Sequence, residues 1–288
     1  MSALARILLV LVLAVGCAAK PKASVPLSEC KGLCSDGPLY AVDTLQLELP
    51  DATGVCPGFD LTGSKPNDCG GEPFKGTDGK VDVDNQLARV YPILAGQIGS
   101  ALPTDIQNSV NTGGLLLLLE IVGDPTTDKT VQLVVHHATG VPLLDANGLL
   151  LAGQTYALSD EPPVGVCENA TITGNQLSCG PFDLLVQIAV FGVPYQITFR
   201  SALITMTLPT AGSDSAILLG ASIEVADVMA LAETIQNGPA NLLGILQSTL
   251  PPLADIPDPK TGVCDRISAA LGMTARTAFA VLPSSAGD

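Results

Sequence analysis

The chain has 288 residues and a formal charge of −15, with 47% apolar and only 14% charged residues. That balance describes a globular chain long enough for one large domain or two small ones, and excludes a disordered one. The acidic excess repels a phosphate backbone, and aromatics at 3% with no Trp leave no stacking platform, so nucleic acid is excluded as a partner.

In chain order, Arg6 precedes an apolar run, Ile7–Gly16, that ends at Cys17. One basic residue, a short apolar core and small residues at the end make a secretory signal peptide over residues 1–16. A permanent span needs about 20 apolar residues, and this run is too short. Leu13-Ala14-Val15-Gly16-Cys17 resembles the lipobox of bacterial lipoproteins. The resemblance implies cleavage before Cys17, acylation of its sulfur and its new amine, and, with Ala18 next, residence in the outer membrane on its periplasmic or surface face. The competing reading is an ordinary cleaved signal with an incidental cysteine. Arg6 is the only charged residue of the first sixteen, so the mature chain carries 28 acidic and 12 basic residues, a formal charge of −16.

Residues 17–37 then form a tether with Lys and Pro and no periodicity, and residues 38–283 a single β-rich domain. Gly 29 and Pro 22 supply turns, and frequent Val, Ile and Thr favour strands. The expected fold is mainly β, with sandwich-like sheets and several packed helices; α+β is the alternative. Leu39–Leu49 alternates as a first strand, and residues 56–80 are loop. Helices are expected near 83–111, where Leu87, Val90, Tyr91, Leu94 and Ile98 recur at helical spacing, and near 226–250. Strands are expected at 115–122, 131–138, 148–158, 182–190, 195–208 and 215–225. A last helix is expected over 264–271, followed by an extended segment at 274–282.

With Cys17 lipidated, seven cysteines remain, an odd number in an oxidising compartment. Cys56–Cys69 would close a polar loop. Cys167–Cys179 would close a hairpin with a three-residue turn ending in a left-handed Gly174. Cys30, Cys34 and Cys264 are left to share one bridge.

Gly76–Gln86 carries aspartates at alternate positions, and Asp78, Asp82 and Asp84 are candidate ligands for Ca²⁺, which prefers hard oxygens. The spacing is not an EF-hand, because the twelfth-position Glu is absent and Lys80 lies inside the loop. In the competing reading Asp82 and Asp84 cap a helix and the others make turns. No other cofactor is implied. Tyr40-Ala41-Val42-Asp43, Phe59-Asp60-Leu61, Asp82-Val83-Asp84-Asn85-Gln86-Leu87 and Cys264-Asp265-Arg266-Ile267-Ser268 together resemble an uncharacterised group of bacterial lipoproteins. That group carries an Asp-rich FDLDGDG…DN-type motif and a C-terminal CDxIS-type motif, and has no known activity to lend.

His136 and His137 are the only histidines, and adjacent strand residues face opposite ways. Ser222 lacks the sharp turn of a nucleophile elbow, and no catalytic residue is assigned. Three functions follow. The first is a non-enzymatic envelope module anchored to the membrane and binding an unidentified protein. The second is a carrier of an apolar ligand or lipid. The third, a hydrolase, would need one histidine beside both a Ser and a carboxylate.

Overall fold

The computed structural model describes residues 33–63, 69–98, 101–190, 193–210, 213–234 and 242–281. The elements run β1 (Leu33–Leu47), β2 (Phe74–Lys75), β3 (Val81–Val83), α1 (Leu87–Ile98), α2 (Ala101–Thr112), β4 (Leu117–Val122), β5 (Thr130–Thr139) and β6 (Gln154–Leu158). They continue with β7 (Gly165–Thr173), β8 (Gln176–Val190), β9 (Val193–Thr207), β10 (Ser215–Glu224), α3 (Val225–Thr234), α4 (Leu242–Leu253), β11 (Ile256–Pro257) and β12 (Cys264–Val281). The fold is mainly β with packed helices, as its composition leads one to expect.

The sheet closes on itself. Antiparallel pairing runs from β1 through β4, β5, β7, β8, β9, β10 and β12 back to β1, a ring of eight strands. Closure removes the open edges that a sheet would otherwise expose. Strand β6 adds a second, smaller ring. It pairs antiparallel with the end of β5 and parallel with the end of β12, so that β12, β1, β4, β5 and β6 also close. The sheet therefore branches, with β1, β4, β5 and β12 as a shared wall.

Cross-strand partners project from the same face, which sorts the residues of that wall. Ile217, Leu219, Ala221 and Ile223 of β10 lie opposite Met273, Leu271, Ala269 and Ile267 of β12, and all eight are buried. On the opposite face of the wall, Leu118 pairs with His136, Ala138 with Leu158, and Ala280 with Tyr156. These are buried too, whereas Val166, which shares the face of its partner Val134, is 40% exposed. The second face is thus dry at the residues that pair toward β6 and wet at Val166.

The principal correction concerns β12. The expected helix over 264–271 is strand, continuous through Val281. Ala-rich sequence favours helix weakly, but Ile267, Ala269, Leu271 and Met273 stand at alternate positions against a matching row on β10. Small residues between them, Ala270 and Gly272, admit the loop that carries Glu48. Continuous pairing with β10 over 266–275 outweighs local propensity.

The hairpin of β7 and β8 turns on Gly174 and Asn175, with Thr173 paired to Gln176, so its loop has two residues and not three; Gly174 has φ +63°. Cys167 and Cys179 are joined across it. Cys69, however, is bonded to Cys264, 195 residues away, and not to Cys56. Cys56 is free and buried, and Cys264, taken by Cys69, is not available for a bridge with Cys30 or Cys34. The segment after Cys69 is held on the body of the protein, where the Glu72 carbonyl accepts from Gln86 Nε2 (2.8 Å) and Arg89 Nη2 (2.9 Å). Gly71, at φ +100°, leaves no room for a Cβ, which would meet the side chains of Gln86 and Asp255 at 2.9–3.0 Å. Cys69 is therefore delivered to β12 instead of back to its own loop.

Candidate functional site

Of the four segments carrying the lipoprotein-like motifs, Tyr40–Asp43 lies along the upper half of β12, whereas Phe59–Leu61, Asp82–Leu87 and Cys264–Ser268 converge on its lower half. There β1 has already left, since its last pair is Leu47 with Leu271. Past the short pairing of β11 with Cys264 and Arg266, that edge of β12 would be bare over 267–270, and side chains and loops complete it. Ala270 N–H donates to Asn85 Oδ1 (3.1 Å), and the Ala270 carbonyl accepts from Glu48 N–H (2.9 Å). Ser268 N–H donates to Asp255 Oδ1 (2.8 Å), and the Arg266 carbonyl accepts from Asp255 N–H (3.0 Å). The Ser268 hydroxyl donates to Asp255 Oδ2 at 2.6 Å and accepts from Gln86 N–H at 2.8 Å. Asn85 Nδ2 donates to the Glu48 carbonyl at 2.8 Å and contacts Cys56 Sγ at 3.3 Å. Buried backbone groups must find partners, and Asn85, Asp255 and Glu48 provide them. Burial pushes the Asp255 carboxyl up to about 7, against the pull of its Ser268 donors, and burial likewise raises the Cys56 thiol.

The calcium reading requires Asp78, Asp82 and Asp84 to converge, and they do not. The Asp78 carboxylate is taken by Lys80 Nζ at 2.8 Å on the surface, and that hydrogen bond holds its pKa low. Asp84 is buried and turned to the Leu61 and Thr62 amides, at 2.8 and 3.0 Å. Its carboxylate thus shapes the loop after Phe59 and does not cap α1. The Phe59 ring in turn lies on Gly220, where a Cβ would approach to 2.4 Å. Among the described residues no group of three or more His, Cys, Asp or Glu side chains is placed to hold a metal ion. The aspartates have separate uses because Asp78 lies in the turn before β3, paired with Lys80, while Asp84 is turned inward to the amides of another loop.

A second polar cluster lies on the small ring. Arg276 Nη1 bonds Asp145 Oδ2 at 2.8 Å and the Leu150 carbonyl at 2.6 Å. Its Nε faces Asp43 Oδ2 at 3.1 Å and Asp214 Oδ1 at 3.4 Å as ion pairs off the hydrogen-bond axis. Asp43 is fully buried, and burial raises its pKa although the Leu150 amide, 2.6 Å away, and Arg276 oppose the shift. Tyr156 is pushed up to about 12 by burial and by the charge of Asp43. His136 Nε2 and Glu120 Oε2 are 2.8 Å apart, both nearly fully buried. His137 stands on the other face, opposite Leu117, and burial lowers its pKa. Ser222 is buried in β10 with its hydroxyl directed at the Arg200 carbonyl at 3.4 Å.

Cys17, Cys30 and the signal segment lie outside the described residues. The sequence singles out neither Arg276 nor Asp255, nor the pairing of Glu120 with His136. A usable signal was present, namely a single charged residue inside an otherwise apolar strand, as with Glu120 after five leucines. No family model matches the chain, and searches of curated proteins and of solved structures find no match.

Proposed function

We propose that the chain is a non-enzymatic lipoprotein of the bacterial outer membrane, moored through Cys17 and presenting its β-rich body as a structural or interaction module. One observation carries the reading. Asp84, Asn85 and Ser268 of the motifs, with Asp255 as partner, are engaged in hydrogen bonds to backbone or to each other that complete the edge of β12 and its supporting loop. Groups so engaged serve architecture, and the motif then marks a fold that must survive outside the cell, with disulfides at Cys69–Cys264 and Cys167–Cys179.

Mass spectrometry of the native mature N-terminus tests the anchor. The expected species begins at Cys17 and carries acyl chains, and Cys17→Ser releases the protein from the membrane fraction. An unmodified N-terminus overturns the reading. The second function, carriage of an apolar ligand, draws support from the closed ring, since eight strands can enclose one small molecule. Extraction of the purified protein with organic solvent decides it: a stoichiometric lipid favours the carrier, and none removes it.

A further inference from the structure

Ten large apolar side chains stand exposed among the described residues, and four of them, Val141, Leu143, Leu144 and Leu151, belong to one loop between β5 and β6. A fifth, Phe279 of β12, lies opposite Thr155 of β6, beside the base of that loop. The loop is not slack. Leu144 and Leu150 form a bridge, and Leu151 N–H donates to the Leu143 carbonyl at 2.9 Å. Gln154 ties both arms, accepting from Leu143 N–H at 2.6 Å and donating to the Leu143 and Leu151 carbonyls at 2.8 Å. Arg276, which also faces Asp43 and Asp214, holds the one acidic group of the loop, Asp145, from inside at 2.8 Å. Holding several aliphatic side chains rigidly in water is unfavourable unless another apolar phase covers them.

Two observations say which phase. Leu33 pairs with Val281 and Cys34 with Ala280, so β1 begins within two residues of Phe279 along β12. The segment leading from Cys17 to this point therefore meets the body next to the aliphatic loop. The charges agree. Residues 18–32 carry Lys20, Lys22 and Lys31 against Glu29, a positive stretch in a strongly acidic protein. Between β5 and β6 the only carboxylate is Asp145. The sequence leading into β1 is thus basic in composition and the loop holds a single carboxylate, ion-paired with Arg276, which suits a surface bearing anionic headgroups better than the acidic remainder of the molecule.

We propose that Val141, Leu143, Leu144, Leu151 and Phe279 form a second membrane contact, seated in the headgroup layer beside the acylated end of the chain. The inference rests on the anchored reading above and adds to it an orientation: the face bearing the β5–β6 loop lies on the lipid, and the lower half of β12 points away.

The test uses full-length mature protein carrying Cys17→Ser, so that no acyl chain contributes, and vesicles of three parts phosphatidylethanolamine to one part phosphatidylglycerol. Sedimentation with the vesicles is expected, and the pair Leu143→Asp and Leu151→Asp reduces the partition coefficient about tenfold, because interfacial binding scales with apolar area inserted. Both side chains are exposed, at 64% and 45%, so the pair leaves the melting temperature unchanged. Amide exchange of residues 140–152 is expected to slow when vesicles are added and at no other time. No sedimentation, or sedimentation insensitive to the two aspartates, overturns the proposal. So does protection of 140–152 without lipid, which means that another segment of the chain, or a second copy if the mass doubles, covers the surface. Acylation of native Cys17 is measured separately, so failure of the anchor and failure of the contact are told apart.

Discussion

The two halves of β12 are closed by different means. Above Leu271 its edges meet whole strands, β1 on one side and β10 then β6 on the other. Below, one edge meets β10 and the other meets the side chains of Asn85 and Asp255, the backbone of Glu48 and the short β11. A neighbouring strand satisfies backbone groups with a repeating ladder that tolerates most side chains. Side chains doing the same task must be particular ones at particular places, which gives the lower half its motif-like sequence. A recurrent polar pattern can therefore record a missing strand as readily as a catalytic site.

That contrast can be broken from either side. The largest expected effect is at the upper half. Arg276→Met strands the buried Asp43 carboxylate without its counter-charge, and removing one partner of such a pair costs about 3–5 kcal/mol, measured as a fall in the urea midpoint at unchanged slope. In the lower half, Cys69→Ser with Cys264→Ser frees a loop closure spanning 195 residues and costs about 2–5 kcal/mol, read from the same titration. Asn85→Ala leaves Ala270 N–H and the Glu48 carbonyl each short of a partner, at about 1–3 kcal/mol, with faster amide exchange at Ala270.

The pH profile sharpens the comparison further. Asp255 releases its proton near 3.8 when unfolded and at about 7 when folded. Between those values the folded chain binds the additional proton, so the contribution of this group is complete below 3.8 and is lost as pH rises toward 7. Asp255→Asn is expected to flatten that part of the melting-temperature profile. The smallest expected effect on stability belongs to Leu143→Asp, within about 0.5 kcal/mol of the parent because the site is exposed.

How far the sequence foretold this follows from the range of its signals. Alternation marked β1, and apolar runs poor in charge marked β4, β8 and β9, because their side chains contact a core along much of the length. Helical spacing marked α1 for the same reason. The Cys167–Cys179 bridge was legible because its closure is local, the hairpin turn alone bringing the two cysteines together. Cys69–Cys264 was not, since its partners are brought together by Gly71 lying on Gln86 and Asp255, a contact with no trace in spacing. The strand at 264–281 was hidden by its alanines, whose small size is a packing requirement that reads locally as helix propensity. Asp78, Asp82 and Asp84 suggested a calcium loop because spacing does not show that Lys80 and the distant Leu61 and Thr62 amides already occupy two of the carboxylates.

Strand β12 touches β1, β6, β10 and β11, and its register with β1 joins Leu33 to Val281. Neither ring can shut before residues 264–281 have been synthesised, whatever has formed upstream. Contacts at such long sequence separation slow folding, so the body stays pliable until its last strand is available and locks only then.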